Sequence, residues 1–251
     1  MPHLSKQITE GLYCYIWQGR GNNCNTYLLA DVLRGERPHV VVDPGFVVNE
    51  MREACFDSLL ASMQGDGLKV EDTGLIINTH THPDHCQATE FVVQRSSRNG
   101  AKGGVSQALT ALSRKEEEYY HTVGERVFGM FGMEVARLDP FIYLVEGELS
   151  LGRGDKKVEL QVLDTPGHSP GSVCLYWPER RVLITGDVVF YASVGRTDFP
   201  GGSPVTLRQS IEKLSKLDVD YLLPGHSTEY GSVIEGKESV RRNFDAVRFL
   251  V

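Results

Sequence analysis

An α/β fold, with two β-rich layers each covered by helices in a single domain, is what this sequence predicts. Three observations carry that expectation. Apolar runs of strand length alternate with stretches of helical period, and Gly, Pro and charged residues separate them. The chain of 251 residues is long enough for one sizeable core, and 41% apolar residues exclude disorder as the main state.

Taken in order, residues 12–18, 24–30 and 39–43 read as strands, the last being the run HVVVD stopped by Pro44-Gly45. A helix is expected over 49–63, where Met51, Cys55, Leu59, Leu60 and Met63 recur at helical spacing. GLIIN at 74–78 suits a buried strand, and 86–98 reads as a helix with Ala88, Phe91, Val92 and Arg95 on one face. Strands follow at 141–145, 158–163, 172–177 and 181–184. Ser203-Pro204 supplies a side-chain cap with proline at the first helical position, so a helix should run to about residue 217. A short strand at 221–223 and a helix over 236–249 close the chain.

Residues 107–139 break the pattern. The stretch starts helix-like, then carries Gly124, Gly129 and Gly132 among large apolar residues, which predicts a bent or mobile segment inserted in the single domain of residues 1–251. Glu116, Glu117 and Glu118 read there as a solvated face. Tyr119, Tyr120, Phe128, Met130, Phe131 and Met133 offer a lid over a substrate, with an ordinary packed cluster or a subunit contact as the plainer alternative.

Composition narrows the function. A formal charge of −7 without a basic stripe argues against nucleic-acid binding, and no apolar run approaches membrane-spanning length. The opening MPHLSKQITEG is too polar for a secretory signal. Five scattered cysteines without a CxxC pair fit free thiols in the cytoplasm. A small-molecule substrate is expected, and the chain is open to self-association.

The chemistry concentrates at strand ends. After GLIIN comes Thr79-His80-Thr81-His82-Pro83-Asp84-His85, and histidines at i and i+2 of an extended segment put two rings on one side, as one ion requires. Pro83 turns Asp84 and His85 back toward the same region. Further ligands come after other strands: His168 in DTPGH, Asp187 after Gly186, and His226 in PGH. Five of eight histidines with these aspartates at strand termini predict a metal site assembled by tertiary structure. Asp43, in an Asp-Pro-Gly turn, is expected to support the site without binding metal, and Cys86 to be a buried thiol.

In content and order, His80-x-His82-x-Asp84-His85, His168, Asp187 and His226 resemble the metallo-β-lactamase-fold superfamily. Gly195-Arg196-Thr197-Asp198-Phe199-Pro200-Gly201-Gly202 looks like its glyoxalase-II-like hydrolases and the related persulfide dioxygenases. The resemblance implies a four-layer αβ/βα sandwich with metals at one edge between the sheets. It assigns His80, His82 and His168 to one ion, Asp84, His85 and His226 to another, and Asp187 to the bridge. The sequence departs from the branch at Ala88, where a glycine is usual, in the long interval before His168, and in residues 227–251, which are too few for the helical region that helps glyoxalase II bind glutathione.

The activity this resemblance implies is that of a hydrolase with two divalent ions, zinc above all, with iron or manganese as alternatives. A hydroxide bridging them would attack a thioester carbonyl while Asp84 orients it. Arg196 could pair with a substrate carboxylate, or only with Asp198 in a turn. Lactone or ester hydrolysis is a variant of the same chemistry. The rival is a mononuclear iron persulfide dioxygenase built on His80, His168 and Asp187. A non-catalytic metal-binding module is disfavoured, because the full ligand set is intact.

Overall fold

The computed structural model describes residues 2–97, 107–130, 132, 137–154 and 157–251. The chain starts as an antiparallel meander of β1 (His3–Thr9), β2 (Leu12–Trp17), β3 (Thr26–Leu29) and β4 (His39–Val42). Then β5 (Thr73–Ile77), β6 (Leu109–Ser113) and β7 (Ile142–Leu144) join in parallel, completing a seven-stranded sheet in chain order. Crossovers between the parallel strands carry α1 (Cys55–Gly65), α2 (Pro83–Cys86) and α3 (Thr89–Ser96). After β6 come α4 (Arg114–Tyr119), a π-helical turn at Tyr120–Gly124, and α5 (Glu125–Met130).

The second sheet begins with the antiparallel strands β8 (Gly147–Leu151), β9 (Val158–Asp164), β10 (Val173–Trp177) and β11 (Val182–Gly186). A small hairpin of β12 (Val189–Phe190) and β13 (Ser193–Val194) comes next. After α6 (Pro204–Leu214), β14 (Tyr221–Pro224) lies parallel to β11. β15 (Ile234–Glu235) and α7 (Lys237–Val247) end the fold.

Strand periodicity explains the layers. Val40 and Val42 face the space between the sheets, where Leu160, Val162, Leu175, Ile184 and Leu223 meet them. Val41 and Ile76 point the other way, onto Phe56, Leu59 and Met63 of α1 and Val92 of α3. On the far side, Cys174, Leu183 and Leu222 pack on Leu207 and Ile211 of α6 and Phe244 of α7. Both faces of each sheet are therefore buried, and the order of layers is helix, sheet, sheet, helix.

Several expected elements change. β1 escapes sequence reading because only Leu4 and Ile8 of HLSKQIT are apolar, and GELSL of β8 because it exposes most of its residues. The helix expected from 49 starts instead at Cys55, since the Asn49 side chain accepts from the amides of Met51 and Glu53 and holds a turn. The helix expected over 86–98 is divided between α2 and α3 at Gln87 and Ala88, where the Ala88 amide donates to the Gly45 carbonyl. The helix-like start at 107 is also overturned: Leu109–Ser113 is an interior parallel strand.

Candidate metal centre

Parallel pairing brings the ligand-bearing loops together. β4 and β5 run parallel, as do β11 and β14, so the segments leaving their C-terminal ends meet at one edge of the sandwich. Asp43 leaves β4, residues 79–85 leave β5, Asp187 leaves β11 and His226 leaves β14. His168 comes from the connection between β9 and β10.

The side chains converge as three overlapping groups, the third being Asp43 with His80 and His85. Ligand atoms of His80, His82, His168 and Asp187 lie within 4.8 Å of one another, and so do those of Asp84, His85 and His226. In the first group His168 Nε2 is 2.7 Å from His82 Nδ1 and 3.4 Å from Asp187 Oδ2. In the second, His226 Nε2 stands 3.1 Å from both His85 Nε2 and Asp84 Oδ2. Asp187 reaches this group too, with Oδ1 3.1 Å from His85 Nε2 and Oδ2 3.5 Å from His226 Nε2. All seven residues expected as ligands are thus brought together.

The donors fit a cation. Tetrahedral zinc with nitrogen and oxygen ligands at 2.0–2.2 Å spaces its ligand atoms about 3.3 Å apart, close to the separations here. His80 Nε2 is buried without a hydrogen-bond partner, an arrangement that costs free energy unless something else meets it. Burial, reinforced by neighbouring imidazoles, holds His80 well below the usual histidine range and His82 down at about 3, so both offer neutral lone pairs. Burial opposes charge on His85 and His226 as well, but the carboxylates win: Asp187, Asp43 and Asp84 raise His85 far above its ordinary value, and Asp187 and Asp84 push His226 up to about 10. Burial likewise disfavours ionised Asp84 and Asp187, and the His85 and His226 imidazoles overcome it and hold both carboxyls low. A cation would replace the protons shared in this second group.

Surrounding groups hold the ligands in place. Asp43, in a left-handed conformation at φ 52°, accepts from the Thr79 amide at 2.8 Å and hydroxyl at 2.6 Å, and faces His85 Nδ1 at 2.9 Å. His168 Nδ1 lies 2.8 Å from the Arg196 carbonyl. Asn22 donates to Asp84 Oδ2 at 2.7 Å. Gly225 packs beneath the cluster, where a Cβ would overlap Asp187 Oδ1 and lie 2.8 Å from His85 Cε1. Cys86 is a buried thiol donating to the Thr81 carbonyl, outside these groups.

Glu116 overturns the expectation of a solvated face. It is fully buried, and its two oxygens accept from the Thr81 amide and hydroxyl, the Ser169 hydroxyl and the Gly171 amide at 2.8–3.1 Å. Ser113 caps α4 by accepting from the Glu116 amide, so Ser113-x-x-Glu116 looks like a capping box whose carboxylate has been turned to other partners. Thr81 lies between His80 and His82, and Ser169 follows His168, so this carboxylate ties the two ligand loops to α4.

The substrate residues divide. Tyr120 packs with Cys86, Leu112 and Phe128, and Tyr119 is buried as well; neither lines the cavity over the cluster. Phe128, expected alongside them, does line it. Phe131 and Met133 lie outside the described residues. Arg196 makes the turn contact with Asp198, two bonds of 2.6 Å, and lines the cavity. That cavity, about 420 Å³, is also walled by Phe128 of the expected lid, by Phe199 of the Gly195–Gly202 motif, and by Asn22 and Phe190, which no motif singles out. A larger cavity of about 730 Å³ between α3 and Arg137 to Phe141 contains none of the candidate ligands.

A two-sheet sandwich with a histidine and aspartate cluster at its strand ends defines a metallo-hydrolase type of fold. The chain belongs to the metallo-beta-lactamase superfamily, whose model matches residues 19–226. It is 28% identical over 225 residues to the human acyl-coenzyme A thioesterase MBLAC2, covering 84% of this chain and 76% of that one. It is 29% identical over 168 residues to the hydroxyacylglutathione hydrolase GloC of Haemophilus influenzae, covering 66% and 73%. Among solved structures, TTHA1623 in a di-iron-bound form is 31% identical, with a TM-score of 0.60 and coverage of 82% and 88%. Among the described residues no helix is long and apolar enough to cross a membrane.

Proposed function

We propose that this protein is a dinuclear metal-dependent hydrolase that cleaves a thioester of a small molecule. The observation carrying the proposal is the pair of complete ligand groups with Asp187 beside both. His80, His82 and His168 would hold one ion, Asp84, His85 and His226 the other, and Asp187 would bridge. Two divalent ions, zinc before iron or manganese, supply Lewis acidity and lower the pKa of water toward neutrality. The thioesterase relatives support the reaction class.

The chain's own groups do the rest. His80 and His82, kept neutral by burial, present lone pairs with no proton to displace. Asp84 orients the attacking water, and Asn22 fixes the rotation of that carboxylate. A thiol leaving group with a pKa of about 8.5 departs without a dedicated acid. Five unpaired, buried thiols support the cytoplasm as its compartment.

Metal analysis of protein purified without added metal, with a thioester panel, tests the reading. Two ions per chain and hydrolysis without oxygen uptake are expected. One iron per chain with oxygen consumption would replace it with the dioxygenase. Asp187→Ala should lose most bound metal and nearly all hydrolysis; retention of both would refute the bridge.

A further inference from the structure

The cavity over the cluster continues outward. It adjoins a second cavity of about 340 Å³, and Arg196 and Phe199 line both. The second lies between Val127 and Met130 of α5 and the turn formed by Asp198, Phe199 and Pro200. The passage formed by the two cavities begins at a ligand: the His82 ring, in the first cavity, stands edge-on to Phe128 at 5.4 Å and to Phe199 at 5.6 Å. It ends at the surface, where Met130 is 80% exposed.

Charge in this passage is already matched. The Arg196 guanidinium makes two bonds to Asp198 and stacks on the Phe199 ring 4.1 Å from its centroid. An anionic substituent entering here would shed water and meet a cation whose partner is in place. An apolar substituent would meet Phe128, Phe199, Val127 and Met130.

We infer that the second cavity holds the acyl chain of the substrate, and that this chain is aliphatic and of medium length, neither polar nor anionic. This rests on the thioester hydrolysis proposed above. With the carbonyl at the cluster, the acyl substituent leaves between Phe128 and Phe199, and each methylene it buries adds about 0.8 kcal/mol, close to fourfold in kcat/KM.

The test uses acetyl, butanoyl, hexanoyl and succinyl thioesters of one thiol, N-acetylcysteamine, on metal-loaded protein. We expect kcat/KM to rise at least tenfold from acetyl to hexanoyl and to fall below the butanoyl value for succinyl. Val127→Trp, which fills the second cavity, should flatten the rise; Met130→Trp at its open end serves if that variant fails to fold. The ethyl and hexyl thioethers of the same thiol, which cannot be hydrolysed, give a reading independent of catalysis. The hexyl compound should raise Tm more than the ethyl, and the difference should vanish in the Trp variant. A flat chain profile with equal thioether shifts overturns the acyl assignment and leaves hydrolysis standing. Chain-dependent binding without hydrolysis of any thioester upholds the cavity and overturns the proposed reaction. Absence of both overturns both.

Discussion

Replacing Glu116 by glutamine removes a charge and almost nothing else, and the structure gives the cost. Oε1 accepts from the Thr81 amide at 3.1 Å and the Thr81 hydroxyl at 2.9 Å, while Oε2 accepts from the Ser169 hydroxyl and the Gly171 amide at 2.8 Å each. A hydroxyl can turn and accept; a backbone N–H cannot. Each oxygen faces one of each kind, so whichever way the amide is placed, its NH2 opposes a backbone donor. At least one bond to a charged acceptor is lost and one buried N–H is left unmet, about 2–4 kcal/mol together. For a chain of this length that is about 5–15 °C in Tm. Because Thr81 sits between two ligands, metal affinity should also fall by about 10–100-fold.

The pH dependence gives a second reading. Burial holds the Glu116 carboxyl above its ordinary value of 4.5, even though its four donors favour the charged form. The folded chain therefore keeps this proton to higher pH than the unfolded chain. The contribution of this carboxyl to wild-type stability falls as pH rises through the window just above 4.5, so the difference between wild type and the glutamine variant changes with pH in that sense. Thermal unfolding between pH 4 and 7, with metal titration at pH 7, measures both. A variant melting within a degree of wild type and holding metal equally well would refute the view that this carboxylate ties the ligand loops.

Three other outcomes are expected. Gly225→Ala forces a Cβ against Asp187 and His85, so it should release at least one ion per chain; unchanged metal content by elemental analysis would show that the loop yields instead. Asn22→Ala, at an exposed position, should leave stability within about 0.5 kcal/mol and lower kcat about tenfold by freeing Asp84, which steady-state kinetics would show. Burial raises all five cysteine thiols, Cys14, Cys55 and Cys174 to about 12 and Cys24 and Cys86 well above the ordinary thiol range, so a thiol reagent at pH 8 should react quickly only after denaturation.

The ligand set was legible because each member carries a local mark. His80 to His85 follow a buried apolar strand, and His168, Asp187 and His226 each stand beside a glycine at a strand end. Strand ends and glycines are properties of a short window, and short windows are what a sequence displays. Asp43 could be read the same way, from its Asp-Pro-Gly turn. β6 could not: ALTALS spaces its apolar residues as a helical turn would, and only its parallel neighbours β5 and β7 make it a strand. Tyr120 turns inward onto Cys86 and Leu112, contacts made by tertiary packing that no short window displays.

Glu116 shows why charge patterning fails where it matters most. Within Lys-Glu-Glu-Glu-Tyr nothing separates the first glutamate from the next two, and three carboxylates in a row belong in water by default. Glu117 and Glu118 obey that rule in part or in full, and Glu116 does not. Its exemption comes from donors on two distant segments, residues 81 and 169–171, and from Gly171, whose missing side chain is what lets the loop approach α4 so closely. Those donors belong to the very loops that carry His80, His82 and His168. A buried carboxylate there is stable only if the ligand loops are already in place, and the loops are held in place partly by the carboxylate. Neither half of that arrangement is visible alone, so the residue that most resembles solvent-facing charge is bound to the metal centre by mutual dependence.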